Sequence, residues 1–450
     1  MTRSVGRLGR LGGVLLALVM TLLLIPVFSG EALADTFTAD AQIVDAPDTN
    51  PGNGKCDAVP ETPGQQCTLR AAVQEANALD GRDTIVLTEG TYALTIPNRD
   101  STGDLRPDPE GQAKTGDLDI RDETTIRGAG LSETTVRDEA GDRIFQVHQR
   151  ALRASIAGLT VTGGNGAPMS DTSGFADPDG LTPRGGGIFN AAVLTLTNVA
   201  VRDNEADFGG GINNRGTLTM KGSTVGGTTS DGNSAFFGGG IYNEGPLTVN
   251  DSTISNNMAR RGISDFGGFG GGLYNTTASA RLTNSTITSN TAEVRGGGID
   301  NEFGDVLLNN VTVFQNVSPN GISIANDGSR TYLSNTIVAK GANLVGENCV
   351  GDRTVSRGNN LSDDGSCSLN QKSDQEEGTD PRLAPIADDD DLTAVIFEPQ
   401  PGSPAIDEGS NATCRPVDQR DVKRPKDGDS DGTAICDVGA VEARPPSSGV

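Results

Sequence analysis

The chain has 450 residues, 61 of them Gly, with 34% hydrophobic residues and a formal net charge of −25. The length allows one long domain or two ordinary ones, and an ordinary globule of this composition has too little apolar material for a thick core. So acidic a chain repels DNA, RNA and anionic lipid as a whole, and its 6 Cys show no C-x-x-C spacing, which argues against zinc.

The first 34 residues read as a secretory signal peptide. Arg3, Arg7 and Arg10 precede an apolar run from Leu11 to Phe28, and Ala32 and Ala34 make an A-x-A site. An uncleaved membrane anchor is the competing reading. Cleavage before Asp35 makes the expected product a secreted, monomeric protein with no stable membrane insertion. Residues 35–84 are expected to form an N-terminal cap. Leu69, Ala72, Val73, Ala76 and Leu79 recur at helical spacing, with Thr68 as N-cap and Gly81 past the end. Arg70, Gln74, Glu75 and Asn77 are expected on the outward side of that helix.

From about residue 85 to 345 the chain is repetitive. GGGIFN at Gly185–Asn190 returns as GGGINN at Gly209, GGGIYN at Gly238, GGGLYN at Gly270 and GGGIDN at Gly296, with a worn copy, GISIAN, at Gly321. A second element, such as Asn284–Asn290 (NSTITSN), places an Asn six residues after its first residue. Its local period is two: Leu194 and Leu196 alternate with Thr195 and Thr197. Short strands repeated every 24 to 32 residues cannot bury a face alone, but stacked coils can. The predicted fold is all-β, a single-stranded parallel β-helix. Glycines mark a corner with positive φ or crowded backbone, and the following Ile or Leu points inward. Asn190, Asn214, Asn243, Asn275 and Asn301 are predicted to form one side-chain ladder, and Asn204, Asn257, Asn290 and Asn316 a second.

Residues 346–442 form an expected C-terminal region containing Cys, and 443–450 a disordered tail. In an exported chain the Cys suggest disulfides. Nearest-neighbour pairing would join Cys56 to Cys67, Cys349 to Cys367 and Cys414 to Cys436. DGDSDG at Asp427–Gly432 puts Asp427, Asp429 and Asp431 on alternate positions before a Gly, the front half of a calcium loop. Val438 stands where an EF-hand needs Glu, so a structural Ca²⁺ competes with a plain polar turn. The run Asp388–Asp391 reads as a solvated acidic loop.

CTLRAAVQEAN, at Cys67–Asn77, resembles the Cys-Ser-Leu-Arg-Glu-Ala motif of exported bacterial right-handed β-helix proteins, departing at Thr68 and Ala71. Gly116–Ile120 and Thr124–Gly130 look like the first coils of that family. The stretch from Pro399 to Glu442 resembles the C-terminal domain that often precedes a variable surface anchor. The GGGIxN repeats are similar to those of polymorphic outer-membrane proteins and adhesins. The resemblance implies fold, right-handedness and export, but no reaction. The final ARPPSSGV carries no anchor pattern, which favours release over attachment.

Two functions compete. One is a non-catalytic, adhesin-like rod binding extracellular polysaccharide or a cell-surface ligand, with the insertion Gly163–Arg184 and the loop Met258–Phe269 carrying specificity. The other is a lyase or glycoside hydrolase acting on acidic polysaccharide. The sequence lacks the paired Asp followed by Gly-His-Gly, and the Arg-x-Lys, of polygalacturonase-like hydrolases. The single His, His148, is expected to face solvent from a strand. Absence of Trp and only 4 Tyr leave few sugar-stacking platforms. No catalytic residue is assigned.

Overall fold

In the computed structural model the described residues are 34–59, 61, 66–98, 112–166, 184–228, 230–262, 266–341, 344–376, 378–388 and 391–444. The leader, most of the Gly163–Arg184 insertion and residues 445–450 lie outside them. The described residues form one compact unit. It is a right-handed parallel β-helix whose described strands form a 17-stranded broad sheet, a 9-stranded narrow sheet and a small 3-stranded one.

One coil shows the plan. Ile299–Asn301 is a strand of the narrow sheet, and Val306–Phe314 a strand of the broad sheet. The broad strand bends at Asn310, which has φ 52°, and ends at Gln315, with φ 56°. The chain then returns through Gly321, φ 64°, to the next narrow strand, Ile324–Asn326. The bend divides the broad sheet into two limbs. Asn198, Gly222, Asp251, Asn284, Asn310 and Asn335 occupy the bend on successive coils, all with positive φ. Asn and Asp tolerate that conformation far better than β-branched residues. This is why the second repeat element begins with Asn or Asp.

The triple glycine has two jobs. Gly209 has φ 69°, and a Cβ there would lie 2.2 Å from the Ile212 carbonyl oxygen. Gly210 and Gly211 are crowded from the neighbouring coil: their Cβ atoms would meet the carbonyl oxygens of Gly239 at 2.6 Å and Gly240 at 2.8 Å. Ile188, Ile212, Ile241, Leu273, Ile299 and Ile324 all point into the core and are fully buried.

Both asparagine ladders form. Each Nδ2 donates to the Oδ1 of the next Asn: Asn190 to Asn214 at 2.8 Å, Asn214 to Asn243 at 2.8 Å, Asn243 to Asn275 at 2.7 Å, Asn275 to Asn301 at 3.0 Å. The second runs Asn204, Asn233, Asn257, Asn290, Asn316, with steps of 2.9 to 3.0 Å. Asn233 fills a rung the repeat pattern lacks, because extra residues after Gly226 move it beyond the usual spacing. All three disulfides join nearest neighbours: Cys56–Cys67, Cys349–Cys367 and Cys414–Cys436.

The helix, α1, spans Leu69–Ala78, and the Thr68 hydroxyl accepts from the Ala71 N–H at 3.0 Å. Its polar side does not face water, contrary to expectation. Segments near residues 45–57 and 112–121 wrap the outside of the helix and use those side chains. Arg70, with no exposed side-chain surface, pairs with Asp45 at 2.8 Å and donates to the carbonyls of Gly116 and Ala113. Glu75 accepts from the N–H groups of Gly52 and Lys55, Gln74 from that of Asp48, and Asn77 from that of Arg121. Polar residues that read as a solvated stripe instead satisfy loop backbone.

The C-terminal region runs back along the bend column. Asn359 donates to the Glu408 carbonyl at 2.8 Å, Asn335 to the Thr413 hydroxyl at 3.0 Å, and Asn284 to the Val417 carbonyl at 2.6 Å. Gln419 reaches the Thr253 hydroxyl at 2.9 Å. The Asp388–Asp391 run lies at the turn between two antiparallel strands, Leu383–Asp388 and Asp391–Pro399, and its middle falls outside the described residues.

Asn257→Ala removes a buried amide that donates to Val225 and Asn290 and accepts from Asn233. Orphaned buried polar groups cost about 1–3 kcal/mol each, so urea unfolding is expected to show a loss of about 3 kcal/mol.

Candidate functional site: the outer face of the narrow sheet

The residue between the inward Ile or Leu and the ladder Asn lies on the outer side of the narrow sheet; Gln146, Phe189 and Tyr242 are partly exposed there, whereas Asn213, Tyr274 and Asp300 are covered by neighbouring side chains. Gln146, Phe189, Asn213, Tyr242, Tyr274 and Asp300 follow one another in register along this face. Beside them, the residue preceding each glycine triplet makes a second column: Arg184, Phe208, Phe237, Phe269, Arg295. A third column, after the ladder Asn, contains Arg215, Glu244 and Glu302.

Six of the 13 Phe and two of the 4 Tyr gather here. Phe208 and Phe237 stack at 5.3 Å, Phe237 and Phe269 at 5.5 Å, with interplanar angles of 8° and 12°. Tyr242 and Tyr274 stack at 5.5 Å. The stacking follows from the coil repeat of about 4.8 Å, which sets like rings at near-contact distance. Arg184 caps Phe208 at 5.1 Å and Arg295 caps Phe269 at 5.3 Å. Phe266, from the Met258–Phe269 loop, packs edge-on against Phe237 at 4.8 Å and ties that loop to the column. Ring faces are therefore occupied by each other and by guanidinium groups, and the rings are half-buried except Tyr274, which is buried. What reaches solvent is ring edge, phenol, guanidinium, carboxylate and amide on a stiff base.

The charged groups form two clusters. In the middle, Glu244 accepts from Arg184 at 3.0 Å and lies 3.1 Å from Arg215. Higher up, Arg295 bonds Asp300 at 2.8 Å and Asp327 at 2.9 Å, while the Tyr274 hydroxyl donates to Glu302 at 2.6 Å. Burial pushes the Asp300 carboxyl up to about 7, against the pull of Arg295, and its Oδ1 has no hydrogen-bond partner. Burial raises the Tyr242 phenol to about 12 and, with Glu302, raises Tyr274 further.

His148 follows the strand Phe145–Val147 rather than lying within it. Its Nε2 bonds the buried carboxylate of Asp119 and lies 3.0 Å from Gln146, so the ring is half-buried and paired, not freely solvated. Of the aspartates expected to hold a metal, Asp427 and Asp429 come together with Asp407, with carboxylate oxygens all within 4.8 Å. Asp431 turns aside to accept from the Thr433 N–H at 2.7 Å. Asp407 accepts from the N–H groups of Gly428 and Asp429, so the group also holds its own turn.

The signal for the narrow-sheet columns was present in the repeat itself. FFGGGIYN names both outward positions, but a reading of the inward and ladder positions passes over them.

No protein-family description matches the sequence, and no curated relative was found. Solved structures show distant likeness. Pectin methylesterase PemA from Erwinia chrysanthemi is 10% identical with a TM-score of 0.37, over 70% of this chain and 94% of that one. The mannuronan C-5 epimerase AlgE4 A-module from Azotobacter vinelandii is 16% identical with a TM-score of 0.34, over 76% and 87%. The catalytic domain of a GH87 alpha-1,3-glucanase is 14% identical with a TM-score of 0.34, over 71% and 55%. Likeness of this degree leaves activity to be argued from the chain's own side chains.

Asp138 and Asp207 are raised to about 6, and Asp300 to about 7, with burial the largest cause in each. A carboxyl raised above its ordinary 3.8 contributes stability that is complete below that value and lost as pH rises through the folded-state value. The chain is expected to melt several degrees higher at about pH 5.5 than at about pH 8. Asp300→Asn is expected to narrow the gap, read by calorimetry.

Proposed function

We propose that the chain is an exported, non-catalytic rod that binds extracellular polysaccharide along the outer face of the narrow sheet. The observation that carries this reading is the stacked aromatic spine Phe208, Phe237 and Phe269, with the partly exposed Phe189, Tyr242, Arg215 and Glu244 beside it. A polyhydroxyl polymer matches such a face, because groups held by the coils lose little freedom on binding. Export is supported by the leader pattern and three disulfides. No helix of the described residues is long and apolar enough to cross a membrane.

Catalysis on acidic polysaccharide is the second reading. It is favoured by one observation: Asp300, pushed up to about 7, lies beside Tyr274 and Glu302, a set able to hold and pass a proton near neutral pH. Against it, Asp300 has no exposed side-chain surface and lies under Arg295. The calcium expectation carries forward as a structural ion held by Asp407, Asp427 and Asp429.

On a glycan array, Tyr242→Phe and Arg215→Ala are expected to weaken retention of the best-bound polysaccharide by about tenfold with the melting temperature unchanged. Unchanged retention refutes the narrow-sheet face. Ultraviolet-absorbing unsaturated ends or new reducing ends, lost in Asp300→Asn, establish the catalytic reading instead. Millimolar Ca²⁺ is expected to raise the melting temperature of the wild type but not of Asp407→Asn. Equal melting with chelator present leaves only a hydrogen-bonded turn.

A further inference from the structure

Net charge hides a reversal on a second face. In the first limb of the broad sheet, alternate residues point outward. There Thr84, Thr125, Ser155, Thr195, Thr219 and Thr248 stand in register on six successive strands. Arg127, Arg153, Lys221, Arg281, Arg330 and Arg353 occupy this column or the outward positions beside it, and all six are exposed. None makes an ion pair with a described carboxylate. At higher coils Arg357 lies over the Tyr332 ring at 4.3 Å. Acidic residues are scarce on the same surface. Glu123 is paired with Arg82, Asp305 stands one strand from Arg330, and Asp352 precedes Arg353. A chain of net charge −25 thus carries one cationic side, lined by hydroxyls over its first six strands and by Arg281, Leu307, Tyr332 and Val355 beyond them.

We propose that this side is a docking surface for a linear acidic polysaccharide, separate from the narrow-sheet face. The strip runs over nine strands, roughly 40 Å, and is about 13 Å wide, enough for one extended polymer chain. Single exposed ion pairs contribute little. A row of unpaired cations meeting one polymer adds up, and the release of its counterions drives association. The hydroxyls between the cations complement the hydroxyls between a polymer's carboxylates or sulfates.

Other polyanions fit less well. A nucleic acid duplex carries a charge every ~1.7 Å and would face the acidic remainder of the chain. Single strands need aromatic rings for base stacking, and Tyr332 is already covered by Arg357. A flat anionic bilayer would bring its charge against the acidic flanks as well.

The test uses the purified exported chain and immobilised heparin, alginate and polygalacturonate, with neutral dextran, duplex DNA and phosphatidylserine vesicles as comparisons. At low salt the chain is expected to bind at least one acidic polysaccharide and not dextran, with affinity falling steeply as NaCl is raised. The combined variant Arg153→Glu, Lys221→Glu, Arg281→Glu, Arg330→Glu is expected to lose about tenfold or more. The same four positions changed to Gln, with unaltered melting, guard against a folding defect and should weaken binding in the same direction. Binding unchanged in both variants, no binding to any acidic polysaccharide, or tighter capture of DNA or vesicles overturns the proposal. Tyr242→Phe and Arg215→Ala report on the other face, so the two surfaces stand or fall separately.

Discussion

A buried asparagine amide has to find its partners inside the protein. In this chain the partner is another asparagine one coil away, and that requirement fixes the register of the whole solenoid. The donor of Asn257 meets the oxygen of Asn290 at 2.9 Å only if every strand between them keeps its alignment. A slip of one residue would turn Ile and Leu out of the core and leave amides without partners, each costing on the order of 1–3 kcal/mol. The left-handed bends and the close-packed glycines serve the same end, because both allow successive coils to follow one another at the spacing of a sheet. The outward faces inherit this order. Side chains there repeat along the axis whether or not they are needed for stability.

That inheritance accounts for the two surfaces. On the narrow sheet, repetition brings ring over ring and makes a stiff aromatic spine capped at both ends by arginine. On the broad sheet it sets hydroxyls in line and leaves cations spaced between them. The first surface is internally satisfied and offers edges and polar heads. The second offers unpaired charge.

Most of the fold was legible because its inward positions obey a short grammar: Gly-Gly-Gly, an aliphatic residue, one free position, Asn. The aliphatic residue was predicted to point into the core and the Asn to stack in a ladder, and both do. The missing rung at Asn233 was not legible, since an insertion carries it out of phase. The helix was placed and capped as expected, yet its polar side was misread. Periodicity distinguishes apolar from polar faces, but it does not tell a side chain that meets water from one that meets loop carbonyls, as Arg70 does. Of the expected metal residues, only proximity in three dimensions could bring in Asp407, some twenty residues upstream of Asp427. The cationic strip was invisible for another reason. Its members lie far apart in sequence and become neighbours only once coil is laid on coil, while a summed charge of −25 points the opposite way.

A stack in which each layer touches only the next should peel from an end, layer by layer. The returning C-terminal segment changes that. By fastening at Asn359, Asn335, Asn284 and Thr253, it straps several layers to one length of chain. Pulled along its axis, the molecule would yield first at the unstrapped coils near the helix cap. The strapped portion would resist as a block and give way in one step.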